Sequence, residues 1–266
     1  MKPKFLSLLV LVSFFCQSNM ALGQKQYYLF SYAKVAPNMQ EDYLKLEKAL
    51  KKIYLGSKGS VEDWSLMQPL TQVDVNGSYN YIVYHKFNAA SNLGDFIKTG
   101  GLSENWVEFL TPEERSLVWH RNEIRTLVKD EVWEVEASIS APKNLKNEMV
   151  LVFNYFDFPT GGSHDKHLKV ETEIWKPIHD LRIKNNLMMG WLFLKKTTPF
   201  GTSQSYQDAT FDFYDSMKQF EIPLPDKFFD MAHQGKNVDL LIKQTNDAAT
   251  LVKGEVCIVV DSLFDK

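Results

Sequence analysis

The chain has 266 residues, with 30 Lys and Arg against 33 Asp and Glu and a formal net charge of −3. So mild an acidity gives no general attraction to nucleic acid or anionic lipid, and the length suits one large domain or two small ones. Its cysteines are Cys16 and Cys257, so no disulfide framework is available and the fold must rest on its core.

The first elements belong to a leader. Lys2 and Lys4 precede an apolar run, Phe5 to Phe15, broken only by Ser7 and Ser13, and Ala21-Leu22-Gly23 supplies small residues before Gln24. This pattern predicts a secretory signal peptide over residues 1–23 and export to a bacterial periplasm or the extracellular space. The run is well short of the ~20 residues that span a bilayer, and no later segment is apolar enough for one. Phe15 stands where a lipoprotein signal has a small residue before its cysteine, which argues against lipidation of Cys16. Cleavage leaves Cys257 alone, which fits a periplasm better than a disulfide-rich secreted domain.

A first unit is expected over residues 24–141. Tyr27 to Val35 is aromatic and β-branched enough for a strand, and Pro37-Asn38 ends it. Asn38 with Glu41 reads as a capping box, after which Tyr43, Leu46, Leu50 and Ile53 draw an apolar helical stripe. Strands follow at Val61 to Leu70 and Ser78 to Phe87, with Asn76-Gly77 as a turn. Thr111-Pro112-Glu113-Glu114 opens a helix, and Glu131 to Ile139 closes the unit.

The second unit, residues 148–266, follows the Ala141 to Asn144 linker and repeats the series. It has strands at Met149 to Phe158, Met189 to Lys196, Tyr206 to Tyr214 and Glu255 to Ser262, with helices at Ser163 to Lys184 and Asn237 to Asp247. Pro177 should bend the long helix. The repetition is visible in residues: TLVKDEVWEVEAS from Thr126 matches TLVKGEVCIVVDS from Thr250, Glu47 matches Glu171, and Trp64 matches Trp191. The expected class is α+β, two tandem ferredoxin-like β-α-β-β-α-β repeats packed sheet to sheet, each covering the other's bare face.

The segments KVAPNMQEDYLKLEKALKK and VETEIWKPIHDLR, with the paired TLVK stretches, make the chain similar to the dimeric α+β barrel superfamily, and within it to NIPSNAP-like and antibiotic-biosynthesis-monooxygenase-like modules. The resemblance implies an intrachain pseudo-dimer, with monomer or further association left open, and a ligand site between the sheets. It also allows cofactor-independent monooxygenase or haem-handling chemistry. Haem enters by that analogy alone; the residues themselves imply no cofactor.

Strand alternation from Tyr79 and Tyr206 turns Tyr81, Val83, His85, Asp208, Thr210 and Asp212 inward, and sends Ala209, Phe211 and Phe213 toward helices. His85 and Asp212 are thus the candidate acid/base pair. The candidate ligand-binding residues are Tyr32, Tyr155, Tyr81, Asp208, Trp64 and Trp191. His167 and Glu171 lie one turn apart, yet a metal needs further convergent ligands and H-E-x-x-H is absent, so no metal is expected. Thr160-Gly161-Gly162-Ser163 before a helix reads as a simple loop. Three functions remain: a small-molecule-binding protein, an enzyme of the kind the resemblance allows, and an interaction scaffold.

Overall fold

The computed structural model describes residues 25–56, 61–70, 79–199 and 205–264; the leader and the Asn76-Gly77 turn lie outside the described residues. Among the described residues eight strands run β1 (Tyr27–Lys34), β2 (Asp63–Pro69), β3 (Tyr81–Phe87), β4 (Thr126–Ile139), β5 (Val150–Asp157), β6 (Gly190–Thr198), β7 (Asp208–Tyr214) and β8 (Thr250–Ser262). All pairings are antiparallel and close into a barrel of order β1-β3-β2-β8-β5-β7-β6-β4.

Each half therefore supplies four adjacent strands, β4-β1-β3-β2 and β8-β5-β7-β6. Their edges are joined as well as their faces. β2 meets β8 from Ser65 opposite Ser262 to Pro69 opposite Cys257, and β4 meets β6 from Val132 opposite Thr198 to Ile139 opposite Trp191. Two open sheets stacked face to face would leave four edges bare, whereas closure pairs them.

Helices cover the outside. In the first half a 3₁₀ turn, Pro37–Met39, leads into α1 (Gln40–Gly56), whose Tyr43, Leu46, Leu50 and Ile53 are buried as the stripe predicts. The expected Asn38 cap does not form, because Pro37 already starts a helical turn one residue earlier and Ala36 precedes it without a side-chain bond. Between β3 and β4 lie α2 (Ala90–Thr99), α3 (Pro112–Trp119) and α4 (Arg121–Ile124). The Thr111 capping box is present in full: Thr111 Oγ1 accepts from the Glu114 amide at 3.3 Å, and Glu114 Oε2 accepts from the Thr111 amide at 3.0 Å.

In the second half the long helix is interrupted. α5 (His164–Val170) passes through a π-helical turn, Glu171–Trp175, into α6 (Lys176–Lys184). Pro177 has no amide proton for the carbonyl four residues back, so the ladder loosens where alternation of helical bonds would need it. Two short helices, α7 (Met217–Phe220) and α8 (Lys227–Ala232), precede α9 (Val238–Ala248), which Asn237 caps through the Leu240 amide at 3.1 Å. The linker is pinned by Asp63, whose carboxylate accepts from the amides of Trp64 at 3.0 Å and Leu145 at 3.1 Å; burial pushes its pKa up to about 7. No helix among the described residues is long and apolar enough to cross a membrane.

The barrel interior is filled by Phe30, Tyr32, Phe153, Tyr155, Phe211, Trp133 and their neighbours. Here the expected register is corrected. Ala209, Phe211 and Phe213 point inward, while Asp208 and Asp212 meet helix side chains; in β3, Ile82 and Tyr84 point inward and Tyr81, Val83 and Phe87 pack on the helical layer. Tyr79 and Tyr206 do lie in the interior, but both precede their strands. The chain turns between Tyr79 and Tyr81, where the Asn80 side chain bonds the Val35 carbonyl at 3.0 Å and the Val35 amide at 2.9 Å. Counting alternation across that turn inverts the faces of the whole strand.

Candidate functional site

One end of the interior is polar. Tyr32 donates to Glu131 at 3.0 Å and its hydroxyl lies 3.1 Å from that of Tyr155. Tyr206 donates to Glu131 at 2.7 Å and accepts from Lys129 at 2.5 Å; Tyr79 donates to Glu255 at 2.8 Å and accepts from Lys253. Lys196 reaches Glu131 at 3.3 Å and stands 3.8 Å from the Tyr206 ring centroid. The Tyr32, Tyr206, Tyr79 and Lys196 contacts bridge the two halves or sit on their seam, and the rings are packed together, with Tyr155 and Tyr206 centroids 4.6 Å apart. Burial raises the Tyr32 and Tyr155 hydroxyls well above their usual range and lowers Lys196. The arrangement is a clamp of satisfied groups.

Four of its charged members come from the repeated TLVK-x-E-V segments, as Lys129 with Glu131 and Lys253 with Glu255, and Lys196 joins them from β6. The repeated motif marks these four, but alternation counted from Tyr79 and Tyr206 concerns β3 and β7 and does not reach β4 and β8.

Of the expected ligand-binding residues, Tyr32 and Tyr155 thus share the interior. The others lie on the outer, helix-facing side. Tyr81 packs against Tyr43 with tilted rings 4.8 Å apart, and Trp64 and Trp191 are fully buried under the helices of their own halves. Asp208 accepts from His164 Nδ1 at 2.9 Å and His167 Nδ1 at 3.0 Å. His167 Nε2 lies 3.4 Å from Glu171. Burial works against a charged His167 ring, but the bonds to Asp208 and Glu171 outweigh it and raise its pKa. Among the described residues no three His, Cys, Asp or Glu side chains are placed to hold a metal ion.

His85 and Asp212 are not a pair. They occupy matching positions in β3 and β7, and each faces the helices of its own half. Asp212 takes a bond from Tyr214 at 3.4 Å and lies 3.8 Å from Arg182; burial, opposed by Arg182, pushes its pKa up to about 6.

His85 instead lines a cavity of about 470 Å³ between the outer face of β1, β3 and β4 and helices α1, α2 and α4. It is 4% exposed, with the Phe96 ring 4.6 Å and the Tyr54 ring 5.3 Å away. Among the described residues neither of its nitrogens has a hydrogen-bond partner. Burial, reinforced by Arg125, lowers its pKa to about 3, so the ring is neutral and offers one donor and one acceptor. On the facing wall Arg125 bonds Glu47 Oε1 at 2.5 Å. Glu47 is completely buried and its Oε2 is unpartnered among the described residues; burial raises its pKa although Arg125 opposes this. Gly100, at φ +63°, caps α2 on the wall of this space, and Gly101 follows it at φ +77°. A Cβ on Gly101 would stand 2.8 Å from the Phe96 ring, so glycine lets the chain leaving the helix pack closely on that ring.

The second half lacks this arrangement. Glu171 matches Glu47 but is met by His167, Asp212 replaces His85, and Ala249 stands where Arg125 does. The sequence marks Glu47 only through its match to Glu171, and Arg125 lies unmarked just before the repeated segment.

No family model and no curated protein matches the chain. Solved structures do. A putative monooxygenase from Fusobacterium nucleatum subsp. nucleatum superposes with a TM-score of 0.59 at 10% identity over 91% of this chain and 94% of that one. An anthrone oxidase-like protein gives 0.51 at 12% identity, over 90% and 92%. A putative chlorite dismutase gives 0.48 at 6% identity, over 89% and 95%. At such identities the first two likenesses speak of fold alone, and with the closed eight-stranded sheet they give the chain the dimeric α+β barrel fold.

Proposed function

We propose that the chain is an exported small-molecule-binding protein whose ligand occupies the cavity beneath α2, with His85 as its polar anchor. The single observation that carries this is a buried imidazole with both nitrogens unpartnered on the wall of a cavity. Buried polar groups nearly always have partners, so two unpartnered nitrogens on a residue that lines a cavity call for a ligand group. The volume is of the size that holds small molecules, and Leu29, Val83, Phe96 and Ile97 give it apolar walls. This moves the site from the seam between the sheets, filled by aromatic rings, to the layer between sheet and helices.

The four-strand order shared by the two halves supports reading them as ferredoxin-like repeats on one chain. Residues 1–23 support export, and the mature protein recovered from a periplasmic or culture fraction should begin at Gln24; an intact Met1 in that fraction would refute the leader.

The second reading is an enzyme, as in the putative monooxygenase and the anthrone oxidase-like protein of the same fold. His85 bears on it too, as an unprotonated imidazole on the wall of a cavity. If haem bound here, His85 is the described histidine that would reach its iron, and haem would supply oxidative chemistry. Phe96, centred 4.6 Å from the His85 ring, would have to move aside.

Both readings are tested by thermal unfolding against a metabolite panel that includes hemin. A ligand present at a hundred times its Kd stabilises by about 2.7 kcal/mol, a rise of roughly 5–10 °C for a chain of this size. His85→Ala should abolish that rise. A rise that persists in the variant removes the cavity from the account, and a haem absorption band in wild type but not in the variant selects the second reading.

A further inference from the structure

Two arginines face the His85 cavity. Arg121 lies on α4 and gives one bond, from Nη1 to the Val118 carbonyl at 3.1 Å. Arg125, one turn on, gives Nη1 to a single oxygen of Glu47. A carboxylate enclosed by protein ordinarily has both oxygens satisfied, yet Glu47 Oε2 has no partner among the described residues. A buried acid thus leans chiefly on a guanidinium that also lines the cavity, with Tyr43 as a weaker, neutral support. With Leu29, Val83 and Phe96 forming the apolar walls, the chemistry on offer is a cation fork, a neutral imidazole and hydrocarbon.

We propose that the cavity takes a small apolar carboxylate together with one proton: Arg125 passes its bond from Glu47 to the ligand's carboxylate, and the Glu47 carboxylate takes up a proton from solvent. The proposal rests on the cavity being the ligand site. No bond is made or broken beyond the transfer of that proton.

The surroundings of Glu47 fit the exchange. Arg125 is the cation that favours its ionised form. Asp261 on β8, itself paired with Lys51 at 3.0 Å, adds a repelling charge, while Tyr43 and Tyr54 on α1 and His85 on β3 stand near without charge. With Arg125 turned away, only the neutral Tyr43 hydroxyl is left to favour the charge, and neutralisation is the cheapest outcome for a buried carboxylate. Burial already raises its pKa. The second half has no counterpart, since Ala249 replaces Arg125 and His167 meets Glu171 at 3.4 Å.

The test is isothermal titration of the whole chain at neutral pH with 2-naphthoate and, separately, the neutral 2-naphthalenemethanol, each in phosphate and in Tris. The carboxylate should bind about tenfold tighter or more, with a heat that differs between buffers by the ionisation of one proton taken up. Glu47→Gln should keep the preference and take up no proton, and Arg125→Gln should lose the preference. The wild-type comparison stands even if a variant fails to fold. Equal affinities, or a heat independent of buffer, overturn the proposal. An alcohol that binds as tightly as the acid and needs His85 leaves the cavity reading intact while sinking this one; binding by neither probe, with no effect of His85→Ala on any ligand, sinks both.

Discussion

Phe153→Ala is expected to lower the free energy of unfolding by about 3–5 kcal/mol, the range for deleting a fully buried phenyl ring. Phe153 is inaccessible to solvent and lies 4.4 Å from the Phe211 ring and 5.6 Å from that of Phe30. Phe30 comes from the opposite half, so the lost ring belongs to the contact that joins them. A void there cannot relax easily, because hydrogen-bonded strands enclose it all round. Chemical denaturation gives the measurement, with the slope unchanged and the midpoint lowered. The surface change Leu251→Ala, at a residue 54% exposed, should stay within about 0.5 kcal/mol. A loss of under about 1 kcal/mol for Phe153→Ala would mean the interior is not packed as described.

Glu131→Gln should cost about 3–5 kcal/mol at neutral pH, because it takes from Lys129 and Lys196 the carboxylate charge they face. Lys196 has a side chain only 3% exposed, so water cannot replace that charge. The pH dependence follows from the same contacts. Burial opposes ionisation of Glu131, but Lys129 and Lys196 outweigh it and hold its pKa below the ordinary value. The folded chain therefore keeps this carboxylate charged after the unfolded chain has begun to protonate its own. The contribution is complete above the usual glutamate range, ~4.3, and is lost as the pH falls through the lower folded value. The gap in stability between wild type and variant should thus be widest at neutral pH and shrink in acid. A gap that stays constant down to pH 3 would show that the charge of Glu131 contributes nothing.

Element order, the apolar stripe of α1, the Thr111 cap and the inward position of Tyr32 and Tyr155 were legible because each depends on neighbours within one turn or one strand. The orientation of His85 and Asp212 was not, since it hangs on a local turn at Asn80 and at the entry to β7, where no backbone ladder enforces alternation. Edge closure between β2 and β8, or between β4 and β6, joins residues too distant for any periodic pattern to connect. Arg125 was hidden for a similar reason: its partner Glu47 is 78 residues earlier, and only folding brings α1 and α4 to the same cavity.

Joining both wings of the barrel through one linker has a consequence for how the molecule could diversify. In an assembly of two identical chains, every substitution appears twice, and a change that suits one wing must be tolerated in the other. Here the arginine of one side faces an alanine at the matching place, and an imidazole corresponds to an aspartate. A covalent tether releases each side from copying its twin, so one can set an imidazole and an arginine around a cavity where the other sets an aspartate and an alanine.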